Sequence, residues 1–185
     1  MKDEEKVEWA VTELNTQVQF PPADSEMEQA FLLTFYGHVF GMPLVDEPEE
    51  LLVGKCSFVL VSLENDFIDA LDAYSSEHLE YGERVLALDA SDALFGNLLI
   101  VDWIEIDPAY RGHGMGVEAM KSILVNAEQL HATRAIARAW DLDRKKPSPG
   151  LSMYWQQAGL KHVGDGFLYA DLTLLLPWQL EEEAA

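Results

Sequence analysis

Between Leu98 and Leu130 the apolar pattern of the chain changes period once, and that change limits what the chain can fold into. Residues Leu98 to Ile106 are almost all apolar or β-branched, the composition of a central strand covered on both faces. Asp107 and Pro108 end it, because proline has no N–H for a ladder and holds its predecessor out of helical geometry. Arg111-Gly112-His113-Gly114-Met115-Gly116 comes next. Alternate glycines let successive N–H groups turn into one concavity and leave no Cβ to fend off a bulky anion. Met120, Ile123, Leu124, Ala127 and Leu130 then form one apolar stripe at helical spacing. Strand, nest and helix start, with its unpaired N–H groups and positive dipole end, together predict a diphosphate cradle.

Spacing separates the nucleotide folds that use such a cradle. A dinucleotide fingerprint needs G-x-G-x-x-G, but after Gly112 and Gly114 the third glycine arrives one residue early, at Gly116. A P-loop needs G-x-x-x-x-G-K-[ST], and Gly54-Lys55-Cys56 lacks both the first glycine and the hydroxyl. What remains resembles the acetyl-CoA-binding motif of the Gcn5-related N-acetyltransferase (GNAT) superfamily, (Q/R)-x-x-G-x-G/A, through Arg111, Gly114 and Gly116. The resemblance implies an α+β fold, with a mixed, largely antiparallel central sheet, one parallel and splayed strand pair, and helices on both faces. It implies one acyltransferase domain over residues 1–185, acetyl-CoA as the acyl donor and no metal. Arg111, Gly112, His113, Gly114, Met115 and Gly116 would hold the diphosphate, and the backbone of Ile104, Glu105 and Ile106 would pair with pantetheine.

Two further segments bear on the chemistry that the resemblance implies. Met153 to Leu160 resembles the superfamily's last motif, Y-x-x-x-G-F, whose tyrosine hydrogen-bonds and protonates the CoA sulfur; the matching position is Trp155. An indole N–H donates but is no acid near neutral pH, so the adjacent Tyr154 becomes the candidate acid. The attacking amine must lose its proton, which calls for a carboxylate base. Superfamily members acting on polyamines and aminoglycosides often carry one four residues before the last hydrophobic residue of the central strand, where Asp102 stands. Strict alternation would set Asp102 on one face with Ile104 and Ile106, and Glu105 on the other. The expected activity is transfer of an acetyl group to a primary amine of a small molecule or a protein. The alternative is a CoA-binding sensor or interaction module that lacks acid catalysis.

Charge bears on partners. The 185 residues carry a formal net charge of −21, unevenly spread. Residues 1–50 hold 12 acids and 2 bases, residues 64–92 hold 9 acids and Arg84 alone, and residues 98–146 hold 7 of each. A polyanionic cofactor needs such a local neutral patch, to which Arg111, Lys121, Arg134, Arg138, Arg144, Lys145 and Lys146 are the candidate contributors. No basic stripe suits a nucleic acid, so none is expected as a partner. No apolar run is long enough for a membrane span, and MKDEEK lacks a signal's apolar core, so neither membrane nor export is expected and the cytoplasm is the expected location. One cysteine, Cys56, excludes an internal disulfide and reads as a small core residue. The assembly is left open, a homodimer included.

Elsewhere, Val7 to Phe20 reads as a first strand. Met27, Ala30, Phe31, Thr34, Phe35 and His38 recur at helical spacing after Asp24 or Ser25, with Gly37 and Gly41 at the helix end and His38 as a buried core histidine. Asp46 to Glu50 reads as a solvated loop, and Leu51 to Leu63 as a long strand. Asp66 to Leu88 carries Phe67, Leu71, Tyr74, Leu79, Val85 and Leu86 on one side, which predicts one or two helices inserted before the central strand, where the superfamily has a tight hairpin. His78 and Tyr81 lie in this insertion without an assigned role. Ala132 to Trp140 reads as a strand whose small residues Thr133, Ala135, Ala137 and Ala139 leave room for pantetheine, and Asp141 to Pro147 as a polar loop. Ser148 and Pro149 start a helix that Gly159 stops, and Gly164-Asp165-Gly166 turns a closing hairpin.

Overall fold

The computed structural model describes residues 9–19, 32–43, 49–63, 66–88, 94–141 and 146–174. Three long antiparallel strands come first: β1 (Trp9–Gln19), β2 (Leu32–Pro43) and β3 (Leu51–Ser62). Helices α1 (Phe67–Tyr74) and α2 (Ser76–Leu88) follow, then the central strand β4 (Asn97–Ile106), helix α3 (Met115–Gln129) and β5 (Ala132–Arg138). Two-residue strands β6 (Trp140–Asp141) and β7 (Lys146–Pro147) pair with each other. Helix α4 (Pro149–Gln156) and the hairpin β8 (Lys161–Gly164) and β9 (Phe167–Asp171) close the order. The seven-stranded sheet runs β1-β2-β3-β4-β5-β9-β8. Among the described residues, only β4 and β5 pair in parallel.

This is the mixed, largely antiparallel sheet with one parallel pair that the resemblance implied. Side-chain alternation along β4 puts a core on each of its faces. Leu99 and Val101 pack with Met115, Met120 and Ile123 of α3 and Trp155 of α4, whereas Leu98 and Ile100 pack with Phe67, Leu71, Tyr81 and Val85 of the α1–α2 pair. Each such fully buried aliphatic side chain is worth roughly 1.5–3 kcal/mol, so the strand is anchored from both sides. The inserted helices are as expected from the sequence, except that Leu86 is exposed.

The expected helix ending at His38 is overturned over its described part. Residues 32–43 are strand β2, with Tyr36 and His38 exposed and Gly37, Val39 and Gly41 buried, a period of two. His38 is therefore a surface residue, not a core histidine, and Gly37 and Gly41 lie inside a strand. Residues 20–31, the start of that expected helix, lie outside the described residues, as do residues 44–48, with most of the acidic run from Asp46 to Glu50, and residues 175–185. The expected loop at 141–147 is pinned at its ends by the β6–β7 ladder. Ser148 caps α4 as expected, its Oγ accepting the Leu151 N–H at 3.4 Å. Asp165 and Gly166 supply the two positive φ angles, 52° and 80°, of a type I′ hairpin turn.

Candidate active site

The cradle is built where β4 gives way to α3. Asp107 accepts the Ala109 N–H at 3.0 Å and so caps a short 3-10 turn at Pro108–Tyr110. Gly112 and Gly114 follow with φ of 87° and 79°, and Gly114 is the residue that caps α3. A Cβ added at either glycine would meet nothing within 4 Å, so these residues are required for backbone angle, and their open side faces a cleft. Met115 and Gly116 open the helix, so their N–H groups have no acceptor inside it. Gly116 also has a packing task. A Cβ there would stand 3.0 Å from Tyr154 Oη and 3.5 Å from Trp155, so this glycine lets α4 close on α3.

The cleft, of about 1070 Å³, lies where the parallel pair comes apart. Pairing of β4 with β5 ends at Val101 and Ala137, and the remaining residues of β4 line the cleft opposite Ala137, Arg138 and Trp140. A β-bulge marks the same place. Ser57 opposes Trp103 while Phe58 opposes Val101, so Asp102 is the extra residue in β4. The bulge breaks the alternation expected of Asp102, Ile104 and Ile106. Ile104 and Ile106 pack toward the α3 core, as Leu99 and Val101 do, whereas the Asp102 carboxylate turns to the α2 side. There Asp102 Oδ2 accepts from Ser57 Oγ at 3.1 Å, and Oδ1 pairs with His78 Nε2 at 2.9 Å. Glu105 is exposed and lines the cleft along with its neighbours.

Tyr154 and Trp155, beside and at the motif's tyrosine position, face different surroundings. Trp155 is buried in the α3 core, while the Tyr154 hydroxyl accepts the Val117 N–H at 3.2 Å at the start of α3. A phenol that accepts there has its own hydrogen left to donate. The structure thus brings Tyr154, Asp102 and the glycine cradle to one cleft. Sequence reading left His78, Tyr81, Ser57 and Glu77 without roles in it, since no local pattern says which face of the sheet an inserted helix will cover. Burial, with the nearby Glu77 and Asp102 charges, pushes the Tyr81 hydroxyl well above the ordinary phenol range, so it stands in the cleft as a neutral donor.

The local charge is leaner in bases than expected. Lys121 pairs with Glu118, Arg134 with Asp171 and Arg138 with Glu80, at 2.9, 3.0 and 3.0 Å. Of the seven basic residues named above, Arg111 and Arg138 line the cleft; Arg144 and Lys145 lie outside the described residues. Arg138 is also sandwiched between the rings of Trp140 and Phe167, 4.1 and 4.7 Å from their centroids. Arg111 donates its Nε–H to the Ile106 carbonyl at 2.8 Å, which ties it to the end of β4 beside the cradle.

No protein-family model and no curated protein matches the chain. Similar solved structures include a putative arylalkylamine N-acetyltransferase 7 from the yellow fever mosquito, at 11% identity over 73% of this chain and 64% of that one, with a TM-score of 0.45. The KacTA–DNA complex aligns at 10% identity over 86% of this chain and 76% of that one, TM-score 0.42. AtaT complexed with acetyl-methionyl-tRNAfMet aligns at 10% identity over 94% and 100%, TM-score 0.39. At these values the likeness says nothing about substrate or activity. No described helix is long and apolar enough to cross a membrane, and the described residues hold no cluster of metal-binding side chains.

Proposed function

We propose that this chain is an acetyl-CoA-dependent N-acetyltransferase of the GNAT superfamily, acting on a primary amine of a small molecule or protein. The observation that carries the reading is one continuous cleft that joins a cradle of left-handed glycines to a hydrogen-bonded carboxylate through the gap between β4 and β5. The cradle fits a diphosphate because the space a Cβ would take at Gly112 and Gly114 is open. Gly112, His113, Gly114, Met115 and Gly116 would hold it by backbone amides, with Arg111 at the rim. Ile104, Glu105 and Ile106 lie on the part of β4 that β5 has left, so their backbone can pair with an extended amide-bearing arm. Acetyl-CoA, when bound, supplies an acetyl thioester.

Asp102 takes the proton of the acceptor amine, which must be neutral to attack. Each of its oxygens has one partner in the protein and a further lone pair for an N–H in the cleft. Tyr154 donates its hydroxyl hydrogen toward the sulfur end of the cleft, while the Val117 N–H holds its oxygen in place. That arrangement favours an enzyme over a CoA sensor, because the acid missing at Trp155 is supplied one residue earlier. The test is thiol release from acetyl-CoA in the presence of spermidine, tyramine or a lysine-bearing peptide. Release above the amine-free rate with any of them supports the reading. No release with any, together with no acetyl-CoA binding, refutes it.

A further inference from the structure

The expected GNAT pattern has no helix between the third strand and the central one, yet here α2 is placed there and delivers a side chain to the reacting carboxylate. Asp102 Oδ1 lies 2.9 Å from His78 Nε2, and the two side chains are only 18% and 11% exposed. At that burial a charge-assisted hydrogen bond is weakly screened and fixes geometry. The rest of the imidazole is equally constrained. Ser75 Oγ accepts the His78 backbone N–H at 3.2 Å and stands 2.7 Å from Nδ1. The Tyr74 ring meets the imidazole edge-on at 4.5 Å, and Tyr81 covers it at 6.0 Å.

The proton positions follow from what each group can do. An ionised carboxylate only accepts, so Nε2 carries the hydrogen between them. In a neutral ring Nδ1 then accepts, and the Ser75 hydroxyl, which already accepts from the backbone, has its hydrogen to give. Ser57 holds the other carboxylate oxygen at 3.1 Å. The bulge at Asp102 turns its side chain toward α2, and these two donors stop it from swinging.

Building on the reading of Asp102 as the base, we infer that His78 is a positioning residue for acetyl transfer. It holds Asp102 aimed at the acceptor nitrogen through a fixed Nε2–H tautomer. In the transfer, the nitrogen lone pair forms the N–C bond and the C–S electrons leave on sulfur. The nitrogen's proton goes to Asp102, and the sulfur takes one from Tyr154. His78 keeps its own proton throughout. Glu77 on the same helix, Tyr74 on α1, Tyr81 and Arg138 on β5 are ionisable groups near this pair, and among the described residues none of them hydrogen-bonds the imidazole.

Four single variants and one double variant test the inference on the full chain with acetyl-CoA and spermidine, tyramine or a lysine-bearing peptide. His78→Asn, too short to reach Asp102, and His78→Phe, which keeps the ring packing, should each lower kcat by about tenfold to a hundredfold, the scale of a misaimed catalytic group, with KM for acetyl-CoA unchanged. His78→Gln, whose amide nitrogen can stand where Nε2 stands, should recover most of that loss. Asp102→Asn should cost more than either, and His78→Asn added to it should cost nothing further. Unchanged kcat in both His78→Asn and His78→Phe, or additive losses in the double variant, would overturn the inference while the acetyltransferase reading stands. Should none of the three amines be acetylated, it is the proposed function that fails. The dyad is then decided by nitrogen NMR of His78. An Nδ1–H tautomer, or a His78 signal unmoved by Asp102→Asn, contradicts it; an Nε2–H tautomer that shifts in the variant supports it.

Discussion

Gly116→Ala separates two readings of the glycine motif, because helix propensity and packing push its effect in opposite directions. Inside a helix alanine is preferred to glycine by about 0.8–1 kcal/mol, so propensity alone predicts a more stable protein. The added Cβ, however, would stand 3.0 and 3.2 Å from Tyr154 Oη and Cε1, where carbon contacts settle at about 3.5–4.0 Å. The tyrosine must give by a few tenths of an ångström, which weakens its already long 3.2 Å bond from the Val117 N–H. Overpacking of this kind costs about 1–3 kcal/mol, and the weakened Tyr154 bond adds less than a whole hydrogen bond because the Val117 N–H keeps its 2.9 Å bond to the Gly114 carbonyl. The net expectation is a loss of about 2 kcal/mol, or roughly 4–8 °C in Tm for a chain of this size. Thermal melts of Gly116→Ala alone and with Tyr154→Phe measure it. The phenylalanine removes the nearer atom and should return part of the loss. A Gly116→Ala protein as stable as the parent, or no relief from Tyr154→Phe, would refute the contact argument.

Other consequences follow from the same geometry. Tyr154→Phe should slow turnover on the order of a hundredfold while acetyl-CoA affinity holds, whereas Trp155→Phe should lower stability by about 1–2 kcal/mol and touch turnover little; steady-state kinetics and melts check both. Arg111→Ala should weaken acetyl-CoA by roughly two- to fivefold, the worth of an exposed charge, and leave S-acetyl-pantetheine, which lacks the phosphates, unaffected in calorimetry. Burial pushes the Cys56 thiol from 9.0 up to about 11, against a smaller lowering by its hydrogen bond with the Gly37 backbone. A folded pKa raised in this way stabilises fully below pH 9 and is lost as the pH rises to 11, so urea midpoints should fall in that window by an amount worth about 2–3 kcal/mol, and a Cys56→Ala protein should lack that part of the fall.

The strand–glycine turn–helix unit was readable because its constraints are local. A proline stop, glycines at φ positions closed to other residues and a helix start all act within a few neighbours, and the structure keeps Gly112 and Gly114 in the conformations that need glycine. Strand β2 was misread for a physical reason. A spacing of four fits both a helix and a strand, so Phe31 with Phe35 and Thr34 with His38 could not decide the period. Tyr36 decides it, since it is exposed between the buried Phe35 and Gly37 and stands across from Ser57. The bulge at Asp102 leaves no trace in composition, because it is a property of how β3 and β4 register. For the same reason His78 was invisible as a partner of Asp102. Its meeting with Asp102 depends on where α2 docks, 24 residues away along the chain.

The central claim, that the glycine cradle binds the diphosphate of acetyl-CoA, is tested most directly by calorimetric titration of the protein with acetyl-CoA at two salt concentrations, beside Gly114→Val. The account predicts one-to-one binding that weakens as salt rises, and a folded Gly114→Val protein that no longer binds. Equal affinity in parent and variant, or no binding of acetyl-CoA by the parent at millimolar concentration, would contradict it.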